Sequence, residues 1–154
     1  MTERPERYPP LAPAEMTPAQ REVAEAIASG PRGGLRGPFQ AWLRSPEIAQ
    51  RLQKVGEYLR FSSSVPRRLN ELAILITARA WDAQFEWYAH YRLALEAGLD
   101  PAVAADIAAG RRPASMRDDE TVVYDFCTEL RATRRVGDET LARAQALLDR
   151  KSVV

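Results

Sequence analysis

The chain has 154 residues, 45% hydrophobic and 28% charged, enough for one domain with a buried core and unlike a disordered tail or a fibre. Its 22 basic and 21 acidic residues leave a net charge of +1, so total charge gives no reason to expect nucleic acid or an anionic membrane as partner. The longest aliphatic run, Leu72–Ile76, falls far short of a membrane span; Met1–Arg7 holds no apolar signal-peptide core; and the single Cys127 excludes an internal disulfide, a CxxC pair and a Cys-rich zinc site. These features predict a soluble, cytoplasmic protein stabilised by packing.

Prolines 5, 9, 10 and 13 mark residues 1–16 as an extended arm, ahead of one helical domain over 17–154. Thr17-Pro18-Ala19-Gln20 has the form of a capping box with proline at the first helical position. It opens a helix through Val23, Ala24 and Ile27 that stops at Gly30. Pro31–Pro38 is a Gly/Pro loop, lacking the preceding strand and following Lys-Ser/Thr of a phosphate loop. A short helix is expected around Phe39–Arg44. Ser45-Pro46-Glu47 starts another, with Ile48, Leu52, Val55 and Leu59 at helical spacing. Arg67 to Ala97 contains neither proline nor glycine, about 31 residues and too long for one ordinary globular helix, which predicts a break near Trp81-Asp82. Asp100-Pro101 opens a helix ending at Gly110. Asp118 or Asp119 is the expected cap of the next, with Val122, Val123, Phe126, Cys127 and Leu130 at three- and four-residue spacing. Gly137-Asp138 starts the last, with Leu141, Ala144, Leu147 and Leu148 as its apolar face. No segment alternates like a strand, so the predicted class is all-α.

Two pairs of residues stand out in the middle. Glu71 leads into Leu72-Ala73-Ile74-Leu75-Ile76, a helix apolar almost all round, where a carboxylate costs free energy unless paired or functional. It either sits at the rim paired with Arg67 or Arg68, or belongs to a site. Glu86 and the only histidine, His90, are four apart and share a helix face. They form either a surface pair or an acid–base pair, with Phe85, Trp87 and Tyr88 as an apolar wall that tunes the histidine. Cys127 sits at an apolar helical position and reads as core packing. Arg111-Arg112 and Arg131, Arg134 and Arg135 read as a solvated or interface surface beside Asp118, Asp119, Glu120 and Glu129.

Glu71-Leu72-Ala73-Ile74-Leu75 and Ala83-Gln84-Phe85-Glu86-Trp87-Tyr88-Ala89-His90, with Arg32–Phe39 and Leu59-Arg60-Phe61 as weaker flanks, resemble the carboxymuconolactone decarboxylase family over about residues 8–150. That family shares its fold with alkylhydroperoxidase D. The resemblance implies an alkylhydroperoxidase D-like bundle of about seven helices, no cofactor and no metal, and assembly into homo-oligomers. A long apolar central hairpin also predicts an exposed patch that favours a dimer at least. Peroxidase-type members carry a glutamate, a CxxC pair and a histidine; the corresponding positions here are Glu71, Ala83, Glu86 and His90. Both cysteines are absent, so the thiol chemistry of that branch has no nucleophile. The decarboxylase branch has Glu-Trp-x-x-His, which Glu86–His90 matches in full. The family continues with a further apolar helix where this chain reaches Lys151–Val154, so the resemblance implies either a shortened member or an altered end.

The resulting expectation is a cofactor-independent lyase acting on a small carboxylated lactone or related oxo-acid. His90 would donate the proton, Glu86 would orient it or exchange protons with it, and Glu71 would be a third acid–base group. Arg79 or Arg60 would hold a substrate carboxylate, with Trp81 and Trp87 at the site. A non-catalytic oligomeric helical module is the alternative, with peroxidase activity behind both. A pocket filled by Trp81 or Trp87 would favour the module.

Overall fold

A computed structural model describes residues 9–148. Residues 1–8 of the expected arm and the terminal Lys151–Val154 lie outside them. The described residues are all helical, with eight α-helices and no strand. No helix among them is long and apolar enough to cross a membrane. The chain divides between Ser62 and Ser63 into two compact units.

The first unit holds a short 3-10 turn, Pro13–Glu15, followed by α1 (Pro18–Ser29), α2 (Phe39–Trp42) and α3 (Pro46–Phe61). The capping box of α1 forms as the sequence predicts. Thr17 Oγ1 accepts from the Gln20 N–H at 3.3 Å, and Gln20 Oε1 accepts from the Thr17 N–H at 2.9 Å. Val23, Ala24 and Ile27 of α1 are buried with Phe39, Leu43 and Ala49. On α3 the periodic residues are not the buried face. Ile48, Leu52, Val55 and Leu59 are 52%, 39%, 57% and 52% exposed, while Ala49 and Gln53 are buried. The reason is close approach on the small side of the helix. The Arg32 side chain lies so near Gly56 that an added Cβ would meet its terminal nitrogen at 2.6 Å, and its guanidinium sits 4.9 Å over the Phe39 ring.

The second unit contains α4 (Arg67–Ala80), α5 (Gln84–Glu96), α6 (Pro101–Ala108), α7 (Asp118–Thr133) and α8 (Asp138–Leu147). The long stretch breaks where expected, at Trp81-Asp82-Ala83, with Asp82 in the left-handed region at φ 49°. An aspartate tolerates that conformation better than most residues, and it lets the chain reverse into α5. Leu69, Leu72, Leu75 and Ile76 of α4 are buried together with Ala94, Leu99, Val103, Ala104, Ile107 and Val123. Because α4 is apolar on several sides, it packs against α5, α6 and α7 at once. Asp100 caps α6 through the Ala102 N–H at 2.8 Å.

The α7 cap differs from expectation. The helix starts at Asp118 with Arg117 as cap residue. Neither aspartate accepts the cap's N–H, because Glu120 reaches back to it at 2.9 Å. Only Val123 of the periodic α7 residues is fully buried; Leu130 is exposed. On α8 Ala144 is buried, Leu148 packs on the core and Leu147 is exposed.

Candidate functional site

Glu71 lies in the second turn of α4 and is turned into the protein, its side chain only 2% exposed. Neither Arg67 nor Arg68 is its ion-pair partner in the rim arrangement the sequence left open. Arg68 instead binds Asp119 at 2.5 Å and Glu120, and Arg67 lies 3.9 Å from Glu96. Glu71 meets His90, 19 residues on and across the α4–α5 hairpin, with Oε2 at 2.7 Å from Nδ1. Glu86, one turn before His90 on α5, places its Oε2 at 3.5 Å from Nε2. The imidazole is thus flanked at both nitrogens by carboxylates of contrasting exposure: Glu71 is sealed in, Glu86 is 41% exposed, and His90 itself is 14% exposed. An ionised carboxylate can only accept, so toward an ionised Glu71 it is Nδ1–H that donates, and Nε2 is the nitrogen that faces Glu86.

The expected aromatic wall does not form as a group. Phe85 and Tyr88 are 48% and 80% exposed, because about 100° per residue turns them away from the Glu86–His90 face. Trp87 packs on the core and stacks on Tyr91, ring centroids 6.1 Å apart. Trp81 is 77% exposed and plugs nothing. Arg79 donates from Nε to the Ala108 carbonyl at 2.8 Å and from its terminal nitrogen to Asp82 at 2.9 Å. It thereby ties the end of α4 to the end of α6. Arg60 belongs to the first unit, its guanidinium 5.1 Å from the Phe61 ring centroid.

Cys127 is partly buried against the core, and burial pushes its thiol up to about 11, so it is not a thiolate near neutral pH. The basic residues that follow α6, and Arg143 of α8, find partners other than the acidic residues expected beside them. Arg111 pairs with Asp106, and Arg112 and Arg143 both hold Asp125, at 2.5 and 3.0 Å. Among the described residues no group of three or more His, Cys, Asp or Glu is arranged to hold a metal ion.

The sequence brings Glu86 and His90 together by spacing alone. It singles out Glu71 by its apolar surroundings but joins it to that pair only through the family pattern, since a contact across the hairpin has no local signature. The Arg68–Asp119–Glu120 cluster beneath the same helix went unforeseen. Its one sequence signal is a glutamate at the third position of α7, the usual place for a residue that reaches back to the cap.

No curated protein and no solved structure matches the chain. Residues 46–121 match the model of the carboxymuconolactone decarboxylase family, a segment running from the start of α3 into α7 and containing Glu71, Glu86 and His90. That segment, just under half of the chain, is a carboxymuconolactone decarboxylase family segment.

Proposed function

We propose that the protein is a cofactor-independent lyase of the decarboxylase type, acting on a small carboxylated lactone or related oxo-acid by general acid–base chemistry. The observation that supports this best is the imidazole flanked by one buried and one exposed carboxylate, 2.7 and 3.5 Å from its two nitrogens. In a γ-carboxylactone, breaking the bond to the carboxylate releases carbon dioxide and sends the electron pair through the ring alkene into the lactone carbonyl. The resulting enolate then takes one proton on carbon. His90 Nε2 donates that proton. Glu71 is the positioning residue: it holds Nδ1 and stabilises the cation that exists before transfer. Glu86, open to solvent, returns a proton to Nε2 between turnovers.

On this reading Glu86 keeps the proton-exchanging part expected of it, and the orienting part falls to Glu71. A substrate carboxylate needs a cation, and of the two expected arginines Arg79 shares a unit with His90. Arg79, 43% exposed, would serve by exchanging Asp82 for the substrate. The absence of cysteine at positions 83 and 86 and the buried thiol of Cys127 weigh against peroxidase chemistry.

The test is decarboxylation of γ-carboxymuconolactone by the wild type and by His90→Gln. The variant should keep its helical circular-dichroism spectrum and lose about 10²–10⁴-fold in kcat, the usual contribution of a positioned proton donor. Wild-type turnover in His90→Gln would overturn the assignment.

A further inference from the structure

Among the described residues the buried polar side chains are Gln53, Glu71 and Glu120. Glu71 has His90 and Glu120 has Arg68. Gln53, 1% exposed, has an Oε1 that no donor of the described residues reaches. A buried acceptor of this kind is costly unless a donor meets it. The residues around it belong to the first unit. Ala49, one turn before Gln53 on the same face of α3, packs with Phe39 and Leu43. Gly56, three residues after it, faces Arg32, whose terminal nitrogen lies 2.6 Å from the place of a Gly56 Cβ. From there Arg32 reaches the Phe39 ring, its guanidinium 4.9 Å from the centroid. Glu57, four residues after Gln53, brings Oε2 within 3.7 Å of the place of a Gly30 Cβ, two residues before Arg32. We propose that one buried water joins these groups, donating to Gln53 Oε1 and to the Glu57 carboxylate and accepting from the Arg32 guanidinium.

Three features favour water at this place. The first is the chemistry of the border. An amide oxygen and a carboxylate only accept, and a guanidinium only donates. One water has two hydrogens for the acceptors and a lone pair for the cation, and three such bonds are what a buried water commonly makes. The second is reach. The guanidinium carries five N–H groups, and still none comes within hydrogen-bond distance of Gln53 Oε1, so a direct bond does not supply the donor. The third is size. With Gln53 closed to solvent, a molecule larger than water reaches Oε1 only by opening the core. The bridge gives the buried amide a purpose: it fastens the loop from Pro31 to Pro38 to the middle of α3, from the side opposite the exposed Leu52 and Val55.

The test is nuclear magnetic resonance of the full chain in water. The wild type should show a direct Overhauser contact between a long-lived water and the Gln53 side-chain amide hydrogens, told from hydrogen exchange by its sign in the rotating frame. Relaxation dispersion of the water oxygen counts the long-lived waters. That count should fall by one in Gln53→Met, which keeps the length and flexibility of the side chain and removes the acceptor. Equal counts in the wild type and Gln53→Met would overturn the proposal. So would a Gln53 amide with no contact to water. The Overhauser contact is read on the wild type, so it decides the matter even if Gln53→Met does not fold. Neither readout involves turnover, so failure here leaves the acid–base reading standing, and wild-type turnover in His90→Gln leaves the water bridge standing.

Discussion

At His90 the two flanking carboxylates differ in what surrounds them, and the difference sets separate consequences for their removal. Glu71 is sealed between α4 and α5 with His90 as its hydrogen-bond partner, whereas Glu86 reaches water. Glu71→Gln keeps the size of the side chain but removes the charge that stabilises a protonated imidazole. It also lets the amide present the wrong group to Nδ1. Its expected cost is about 10²-fold or more in kcat. Glu86→Gln leaves water able to exchange the proton and should cost less, about tenfold, with external buffer restoring part of the loss. Steady-state kinetics of the two variants against buffer concentration checks this ordering; a larger loss for Glu86→Gln would reverse the roles. Cys127 gives a second residue-level expectation. With its thiol raised to about 11 by burial, a thiol reagent at pH 7.5 should label it slowly in the native protein and rapidly in denaturant. Cys127→Ala should keep turnover nearly unchanged, and a peroxide-dead Cys127→Ala protein would point to the chemistry that this environment disfavours.

Between elements, charge does what the apolar spacing of α7 leaves undone. Arg68 of α4 binds Asp119 and Glu120 at the first turn of α7, and Glu120 is 1% exposed. Removing the cation strands a buried carboxylate. Arg68→Ala should therefore destabilise the fold by about 3–5 kcal/mol, while Arg68→Met with Glu120→Leu should recover much of that loss; urea unfolding of both measures it. Asp125 links α7 to Arg112 and to Arg143 of α8. Burial alone would push its carboxyl up, but hydrogen bonds from and the charges of those two arginines outweigh it and hold it below the usual carboxylate range. A depressed folded pKa stabilises above the unfolded value, and that stabilisation is lost as pH falls through the folded one. Asp125→Asn should thus lower Tm at pH 7 and flatten the fall of Tm below about pH 4. An unchanged acid limb would show that the carboxylate is not coupled to folding. Elements of this kind mark where sequence reading stopped. The caps at Thr17 and Asp100 and the break at Asp82 were legible because their signals are local. The α3 face, the Arg68 cluster and the Asp125 bridge depend on which side of a helix meets a neighbour, and spacing alone cannot decide that when one side carries alanine and glycine and the other leucine.

At the scale of the molecule, two cores of unequal size predict two levels of stability. The core cluster of the second unit holds ten buried apolar residues around α4, that of the first holds six around α1 and α2. Opening free energy follows the apolar surface exposed on opening. Amides of α4 from Leu72 to Ile76, whose helix packs on three others, should accordingly be the slowest in the chain to exchange with deuterium. Amides of α1 should exchange through an easier opening that leaves α4 closed. A substitution separates this from a single cooperative unit. Leu72 is 0% exposed at the centre of the larger core, and Leu72→Ala should cost about 2–5 kcal/mol there, the lost transfer energy plus that of the cavity. With separate openings, the variant speeds exchange throughout α4 to α7 and leaves α1 at its wild-type rate. With one cooperative unit, α1 and α4 accelerate by the same factor. Hydrogen exchange read by mass spectrometry on peptides spanning 18–29 and 67–80 distinguishes the two, and equal acceleration in both peptides would mean that the two cores open together.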